Sequence, residues 1–208
     1  GHGKLVDVIR IAVADDQTLV RGALAALLDM EDDLQVVGSC GRGDEVVDMV
    51  QRTNPDVCLL DIEMPGMDGI TVAEHLASTA PTCRVLIVTT FGRPGYLRRA
   101  MDAGVSGFVV KDTPAEQLAK MVRTVHAGQR VIDPDLAAES LMQGHNPLSE
   151  REQQVLRLVE GGASMTAIAS ELFLSVGTVR NHVSSAIHKT GAANRTEAAV
   201  TARERGWL

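Results

Sequence analysis

The feature that most constrains this chain is an alternation along its first half. Five short apolar runs recur: VIRIAVA (8–14), LQVVG (34–38), VCLLD (57–61), RVLIVT (84–89) and GFVV (107–110). Between them the apolar residues take helical spacing. Leu19, Leu24, Leu27 and Leu28 mark one helix face, and Val46, Val47 and Val50 a second. Val72, Ala73, Leu76 and Ala77 mark a third, and Leu97, Ala100, Met101 and Ala103, ended by Gly104, a fourth. Leu118, Met121, Val122 and Val125, ended by Gly128, mark a fifth. Near-continuous apolar strands separated by helices predict a parallel α/β sheet, doubly wound, with both faces covered. Such sheets carry their sites beyond the carboxyl ends of the strands.

The residues at those ends are chemically able. Asp15 and Asp16 follow the first run, Asp61 ends the third, Thr89 ends the fourth and Lys111 follows the fifth. Three carboxylates brought to one edge repel each other unless a cation lies among them. Oxygen ligands with a few waters suit Mg2+. A metal beside an exposed carboxylate makes a nucleophile able to accept a phosphoryl group. Lys111 would balance the added charge and the Thr89 hydroxyl could bond a phosphoryl oxygen. A single polar residue at a strand end is ordinary; five of them at one edge are the pattern of a site. Pro65 and Gly66 form the turn that carries the chain away from Asp61, and Glu63 lies at the mouth.

After the fifth helix the strand signal stops. Residues 128–146 contain Pro134 and end in Gly144-His145-Asn146, and read as a linker with a single helical turn. Four short helices fit the remainder: 149–160, 165–172, 176–189 and 195–205. Ser149 and Glu152 have capping-box spacing, and Ser175 is a suitable N-cap for the third of these helices. Val176, Val179, Val183 and Ile187 make its apolar face, leaving Thr178, Arg180, Asn181, Ser184, Ser185 and His188 off it. Two short helices joined by a brief turn make a helix-turn-helix. Charge divides the same way: the 208 residues carry a formal net charge of -7, but from Asn146 onward there are seven basic and six acidic residues. An acidic half beside a near-neutral half points to two domains with different partners.

No apolar run is long enough to span a bilayer, so no membrane association is expected. The N-terminal stretch leads straight into a strand-like run rather than a signal peptide, with Gly1 and His2 set aside as an expression remnant. Cys40, Cys58 and Cys83 are an odd number with no CxxC pair, and Cys58 and Cys83 sit in apolar runs as core fillers, which points to a reducing cytoplasm and against disulfides or zinc.

The combined motifs resemble the response regulators of two-component signalling, over nearly the whole chain. AVADDQ (12–17), LLDIEMPGMDG (59–69), IVTTF (87–91) and GVSGFVVKD (104–112) match the receiver pattern. PLSEREQQVLRLVEGGASMTAIASELFLSVGTVRNHVSSAIHKTG resembles the helix-turn-helix output domain of the NarL/FixJ class. The resemblance implies a flavodoxin-like five-stranded receiver over 4–127, the linker over 128–146 and a small all-α DNA-binding domain over 147–208. It implies Asp61 as phosphoacceptor, Asp16 as a direct Mg2+ ligand, Asp15 as a helper through water and the Glu63 backbone carbonyl as a further ligand. Thr89 and Phe108 match the switch pair, and Lys111 the phosphate-contacting lysine. In the output domain, Arg180, Asn181 and Ser184 would face base edges, Thr178 and His182 the backbone, and Lys189 a phosphate. The implied partners are a sensor histidine kinase, promoter DNA and, once phosphorylated, a second copy of the chain. DIEMPG, TTFGRPGY and GTVRN are similar to the subgroup that regulates membrane-lipid desaturation and envelope stress.

Three readings compete at this level. The first is a phosphorylation-switched transcription regulator, dimerising through either the first and fifth helices or the fourth helix and fifth strand. The second is a Mg2+-dependent phosphohydrolase with Glu63 as its second acid, which leaves the helical half unexplained. The third is a DNA-binding protein with a vestigial receiver, against which the intact acid, threonine and lysine set argues.

Overall fold

The computed structural model describes residues 7–90, 94–143 and 146–208. Gly1, His2, the expected domain start at residue 4, Phe91 of IVTTF, and Gly144 and His145 of the linker lie outside them. The chain divides into two compact units: residues up to 92 together with 99–137 form the first, and residues 138–208, grouped with the short segment 93–98, form the second.

The first unit is a parallel sheet with helices in the connections. Its strands are β1 (Ile9–Ala14), β2 (Leu34–Cys40), β3 (Val57–Leu60), β4 (Arg84–Thr89), β5 (Gly107–Val110) and β6 (Val131–Ile132). Its helices are α1 (Thr18–Asp29), α2 (Val46–Thr53), α3 (Gly69–Thr79), the part of α4 (Pro94–Asp102) from Arg99 onward, and α5 (Ala115–His126). The spatial order is β2-β1-β3-β4-β5-β6, all neighbours parallel. Strand order reverses between β1 and β3, the position at which doubly wound sheets bind ligands.

Alternate strand residues point to opposite faces. Ile11, Val13, Val57, Leu59, Leu86, Val88 and Val109 pack with Leu28 of α1 and Leu118, Val122 and Val125 of α5 in one core. Their neighbours Cys58, Leu60, Ile87 and Phe108 are buried as well. Cys58 and Cys83 fill space as free thiols. Burial pushes both thiols up, Cys83 to about 12. On α1 the inward face is Leu24 and Leu28, while Leu19 and Leu27 are exposed. At 3.6 residues per turn, Leu19 lies more than a right angle away from Leu24, so the four leucines do not share a face. Arg123 of α5 grips Asp33 with two bonds (2.7 and 2.8 Å) and Glu31 with a third (2.9 Å), tying α5 to the α1–β2 connection.

Residues 128–146 hold more structure than the expected linker with one turn. Val131 and Ile132 extend the sheet to a sixth, two-residue strand, and helix α6 spans Pro134–Gln143. Pro134 suits the first helical position, where its missing N–H is not needed. The Asp133 carboxylate accepts from the backbone of Asp135 and Leu136, capping the helix.

The second unit is four helices: α7 (Glu150–Glu160), α8 (Met165–Leu172), α9 (Val176–Thr190) and α10 (Arg195–Glu204). Ser149, Ser164, Ser175 and Asn194 each cap one through a side-chain oxygen, contributing about 1 kcal/mol apiece. Its core joins Val155, Leu156 and Val159 of α7, Ile168 of α8, Val179, Val183 and Ala186 of α9, and Ala198, Ala199 and Ala202 of α10. The alanines of α10 are therefore part of the packing of this unit. Among the described residues no helix is long and apolar enough to cross a membrane.

Candidate phosphoacceptor site and nucleic-acid interface

The register of the sheet assembles the first site. Ala14 lies opposite Leu60, and the Asp61 N–H donates to the Ala14 carbonyl at 2.9 Å. Asp15 and Asp61 are thus neighbours across the switch point. Thr89 is opposite Val110, and the Lys111 N–H donates to the Thr89 carbonyl at 2.8 Å, which aligns the ends of β4 and β5. Asp15, Asp16 and Asp61 each offer a carboxylate oxygen within 4.8 Å of the others. Asp15 and Asp61 are buried and Asp16 is exposed. An open cavity of about 190 Å³ is lined by Asp16, Gln17, Asp61, Glu63, Thr89, Thr90 and Lys111.

Lys111 organises the charge. Its ammonium donates to Asp15 at 2.6 Å, to Asp61 at 3.0 Å and to the Gln17 side chain at 3.3 Å. These three acceptors match the three N–H bonds of an ammonium. Partial burial works against that charge, but the hydrogen bonds to Asp15 and Asp61 outweigh it and hold the lysine above its ordinary pKa. Asp61 is only 5% exposed. Burial raises its pKa, and the Lys111 hydrogen bond offsets part of that rise. Its other oxygen accepts from the Ile62 N–H at 2.8 Å. Asp15 is held by the Gln17 N–H at 2.9 Å.

The turn after Asp61 depends on glycine. Gly66 has φ of +85°, a left-handed conformation that disfavours other residues. At Gly69, the first residue of α3, a Cβ would collide with the Asp61 backbone carbonyl. Asp68 caps α3 by accepting from Ile70 and Thr71, each at 3.0 Å.

Of the expected receiver residues, Asp15, Asp16, Asp61, Glu63, Thr89 and Lys111 all come to this edge. Phe108 does not line the cavity; it is fully buried in β5 opposite Ile87, two residues back along the strands from the Thr89–Val110 pair. Sequence reasoning missed Gln17 and Thr90. Gln17 stands within the quoted AVADDQ run, immediately after the acid pair, and that adjacency was the available signal.

In the second unit, Arg180, Asn181 and Ser184 are exposed on α9 and make no side-chain hydrogen bond among the described residues. His182 is half-buried. Thr178 shares a 2.8 Å hydrogen bond with the capping Ser175. Lys189 donates to the buried Glu152 at 2.8 Å, and Ser185 bonds the same oxygen at 3.3 Å. The Ser149 hydroxyl accepts from the Glu152 N–H at 3.1 Å, the first half of a capping box. The Glu152 carboxylate, however, is directed to α9. Burial raises its pKa, but the hydrogen bond from Lys189 and its charge prevail, so the net shift is downward.

Comparison with known proteins agrees with this architecture. Residues 11–123 match the response regulator receiver domain, and residues 146–202 match the bacterial regulatory proteins of the luxR family. The chain is 46% identical to the transcriptional regulatory protein DesR of Bacillus subtilis over 201 residues, 97% of this chain and 100% of that one. It is 45% identical to YvfU, an uncharacterised transcriptional regulatory protein of the same organism, with the same coverage. Among solved structures it is similar to the response regulator ChrA of a heme-sensing two-component system. Identity there is 35%, the TM-score is 0.57, and the match covers 97% of this chain and 100% of that one. A sheet that gathers an acid set and a lysine at its switch point, joined to a capped helix-turn-helix, therefore has a known kind: the chain belongs to the response regulators that couple a receiver domain to a LuxR-type DNA-binding domain.

Proposed function

We propose that this chain is a transcription regulator whose DNA binding is switched by phosphorylation of Asp61. One observation carries the reading. A buried carboxylate faces an open cavity, flanked by two further acids and one lysine, in a chain that also exposes Arg180, Asn181 and Ser184 on a recognition helix. The phosphoryl donor is a phosphohistidine of a sensor kinase. An Asp61 oxygen attacks phosphorus, the N–P bond breaks, and the imidazole departs. The carboxylates fit a hard divalent cation, since oxygen donors converge there. Mg2+ would be held by Asp16, Asp61 and the Glu63 carbonyl, with Asp15 acting through water, and when bound it supplies positive charge for the incoming phosphoryl oxygens. Lys111 leaves Asp61 for a phosphoryl oxygen, and the Thr89 hydroxyl donates to another. Phe108, already packed inward, follows Thr89. The chain has no separate substrate. It works in the cytoplasm.

The activated form is a homodimer. Leu19 of α1 is 87% exposed and Met30, its C-cap, 78% exposed, with Ala23, Ala26 and Leu27 between them on one face. Such a stripe, without a charge, favours the face of the first and fifth helices over the fourth helix and fifth strand. On DNA, Arg180, Asn181 and Ser184 read base edges, with Thr178 and His182 near the backbone. Lys189 is a weaker candidate for phosphate, because Glu152 competes for it.

Light scattering with Mg2+, before and after beryllofluoride is added as a phosphoryl mimic, tests the switch. The expected result is a doubling of mass that is absent in Asp61→Ala. An unchanged mass in the wild type would remove dimerisation as the mechanism.

A further inference from the structure

The described residues with positive φ are six glycines, Asn54 and Phe173. Phe173 is the exception in that set. It closes α8 with φ 56° and ψ 42°. The Leu174 N–H donates to Ala169 at 2.9 Å and the Phe173 N–H to Ser170 at 3.4 Å. That is the Schellman pattern, whose left-handed position is normally glycine or asparagine. The chain obeys the preference at Asn54, which ends α2, and at Gly191, which ends α9.

Phe173 departs from it twice over. Its Cβ is strained by the left-handed backbone, and its ring is 95% exposed. Packing inside this unit therefore returns nothing for the strain. A residue that breaks two local rules with no internal compensation marks a position shaped by something outside the fold.

Its place in the chain identifies that partner. Phe173 stands two residues before Ser175, the N-cap of α9. The N-terminal residues of a recognition helix are those that meet base edges. A ring just outside that end lies beside the groove rather than in it. Gly177, in the first turn of α9, is exposed and presents no side chain to hold the duplex away.

We infer that Phe173 is a DNA-contacting residue, packing its ring against the deoxyribose wall of the groove beside α9. This rests on the DNA-binding reading above. The contact is apolar and to the sugar, so it adds affinity without reading sequence and without displacing counterions.

The test needs no knowledge of the promoter. Binding of the full chain, with Mg2+ and beryllofluoride, to a random-sequence duplex is followed by fluorescence anisotropy across a salt series. Phe173→Asn and Phe173→Gly suit the left-handed backbone, so the expected Tm is unchanged or higher. Both should weaken binding about fivefold, with the slope of log K against log salt preserved. Phe173→Leu should retain most of the affinity. Arg180→Glu, which reverses a charge on the exposed face of α9 and so repels any duplex, is the control and should lower both affinity and salt slope. Wild-type affinity in Phe173→Asn and Phe173→Gly, with Arg180→Glu weakened, would overturn the proposal and leave DNA binding by α9 standing. Wild-type affinity in all three would overturn both. A fall in Tm in both Phe173 variants would also overturn it, because the ring would then serve the fold.

Discussion

The two candidate sites are built on opposite principles. At the sheet edge, the candidate groups come from four strand ends, and the central ones, Asp15, Asp61 and Lys111, are drawn inward and paired. On α9, Arg180, Asn181 and Ser184 are outward, make no side-chain hydrogen bond among the described residues, and come from one helix. In the first case the groups proposed to do the chemistry also hold the local structure, because Lys111 is the counter-charge for Asp15 and Asp61. In the second, Arg180, Asn181 and Ser184 contribute nothing to the packing beneath them. Function and stability are therefore coupled in the receiver and separable on the recognition helix.

The largest effect should come where the coupling is steric. Gly69→Val would drive side-chain atoms into the Asp61 carbonyl. Overpacking against backbone typically costs up to about 3 kcal/mol, so the urea midpoint of the receiver should fall sharply and phosphorylation with it. A wild-type midpoint would break the claim that the phosphoacceptor turn is fixed by close approach. Lys111→Met comes next. It leaves two buried carboxylates facing each other, and loss of a partner from such a cluster costs about 2–3 kcal/mol. Mg2+ should restore much of the lost Tm in this variant and less in the wild type, where the ammonium already serves. Equal Mg2+ effects would mean that Lys111 is not the counter-charge.

The same contrast governs what the amino-acid sequence could reveal. Strands β3, β4 and β5 and the ends carrying Asp15, Asp61, Thr89 and Lys111 were legible because apolar periodicity defines a strand and topology then gathers its ends. Contacts made across the site by a flexible side chain were not. Gln17 stood in the AVADDQ run with no role assigned to it, yet its carboxamide reaches Lys111, 94 positions away. Glu152 looked like a capping-box acid, yet one oxygen of its buried carboxylate turns to the half-exposed Lys189 ammonium, a charged donor that stabilises the carboxylate more than a backbone N–H would. The α1 leucines were counted as one face although only two point inward, since apolar content alone does not set helical phase. Residues 128–146 read as a linker with one helical turn because a two-residue strand has no periodicity to detect, and Asp133 before Pro134 was the overlooked helix start. Phe173 carried no signal at all: an aromatic gives no hint of a left-handed backbone.

Glu152 lies between the two extremes, a buried acid in the unit whose surface is otherwise separable from its core. Its pKa is below the ordinary value of 4.5, with burial opposing and Lys189 prevailing. A depressed carboxylate contributes stability that is present above the unfolded value and lost as pH falls through the folded one. Thermal melts of the wild type should therefore lose stability on acidification below about pH 4.5. Glu152→Gln should lose about 1–2 kcal/mol at pH 7 and show a shallower acid slope. An identical slope would remove Glu152 as the acid-sensitive link between α7 and α9.

Arg180→Ala should have the smallest effect on stability and so gives the sharpest form of the comparison. The side chain is exposed and no hydrogen bond depends on it among the described residues. Surface substitutions of this kind stay within about 0.5 kcal/mol, so its melt should overlay the wild type. If Arg180 reads a guanine, losing the bidentate pair costs about 1–3 kcal/mol of binding to a specific site and relaxes preference at one base pair. The measurement is a selection of duplexes from a random pool by wild type and variant, with melts run in parallel. A changed preference with an unchanged melt separates function from stability at α9, while a lower melting temperature would show that the exposed arginine is tied into the fold, as Lys111 is at the sheet edge.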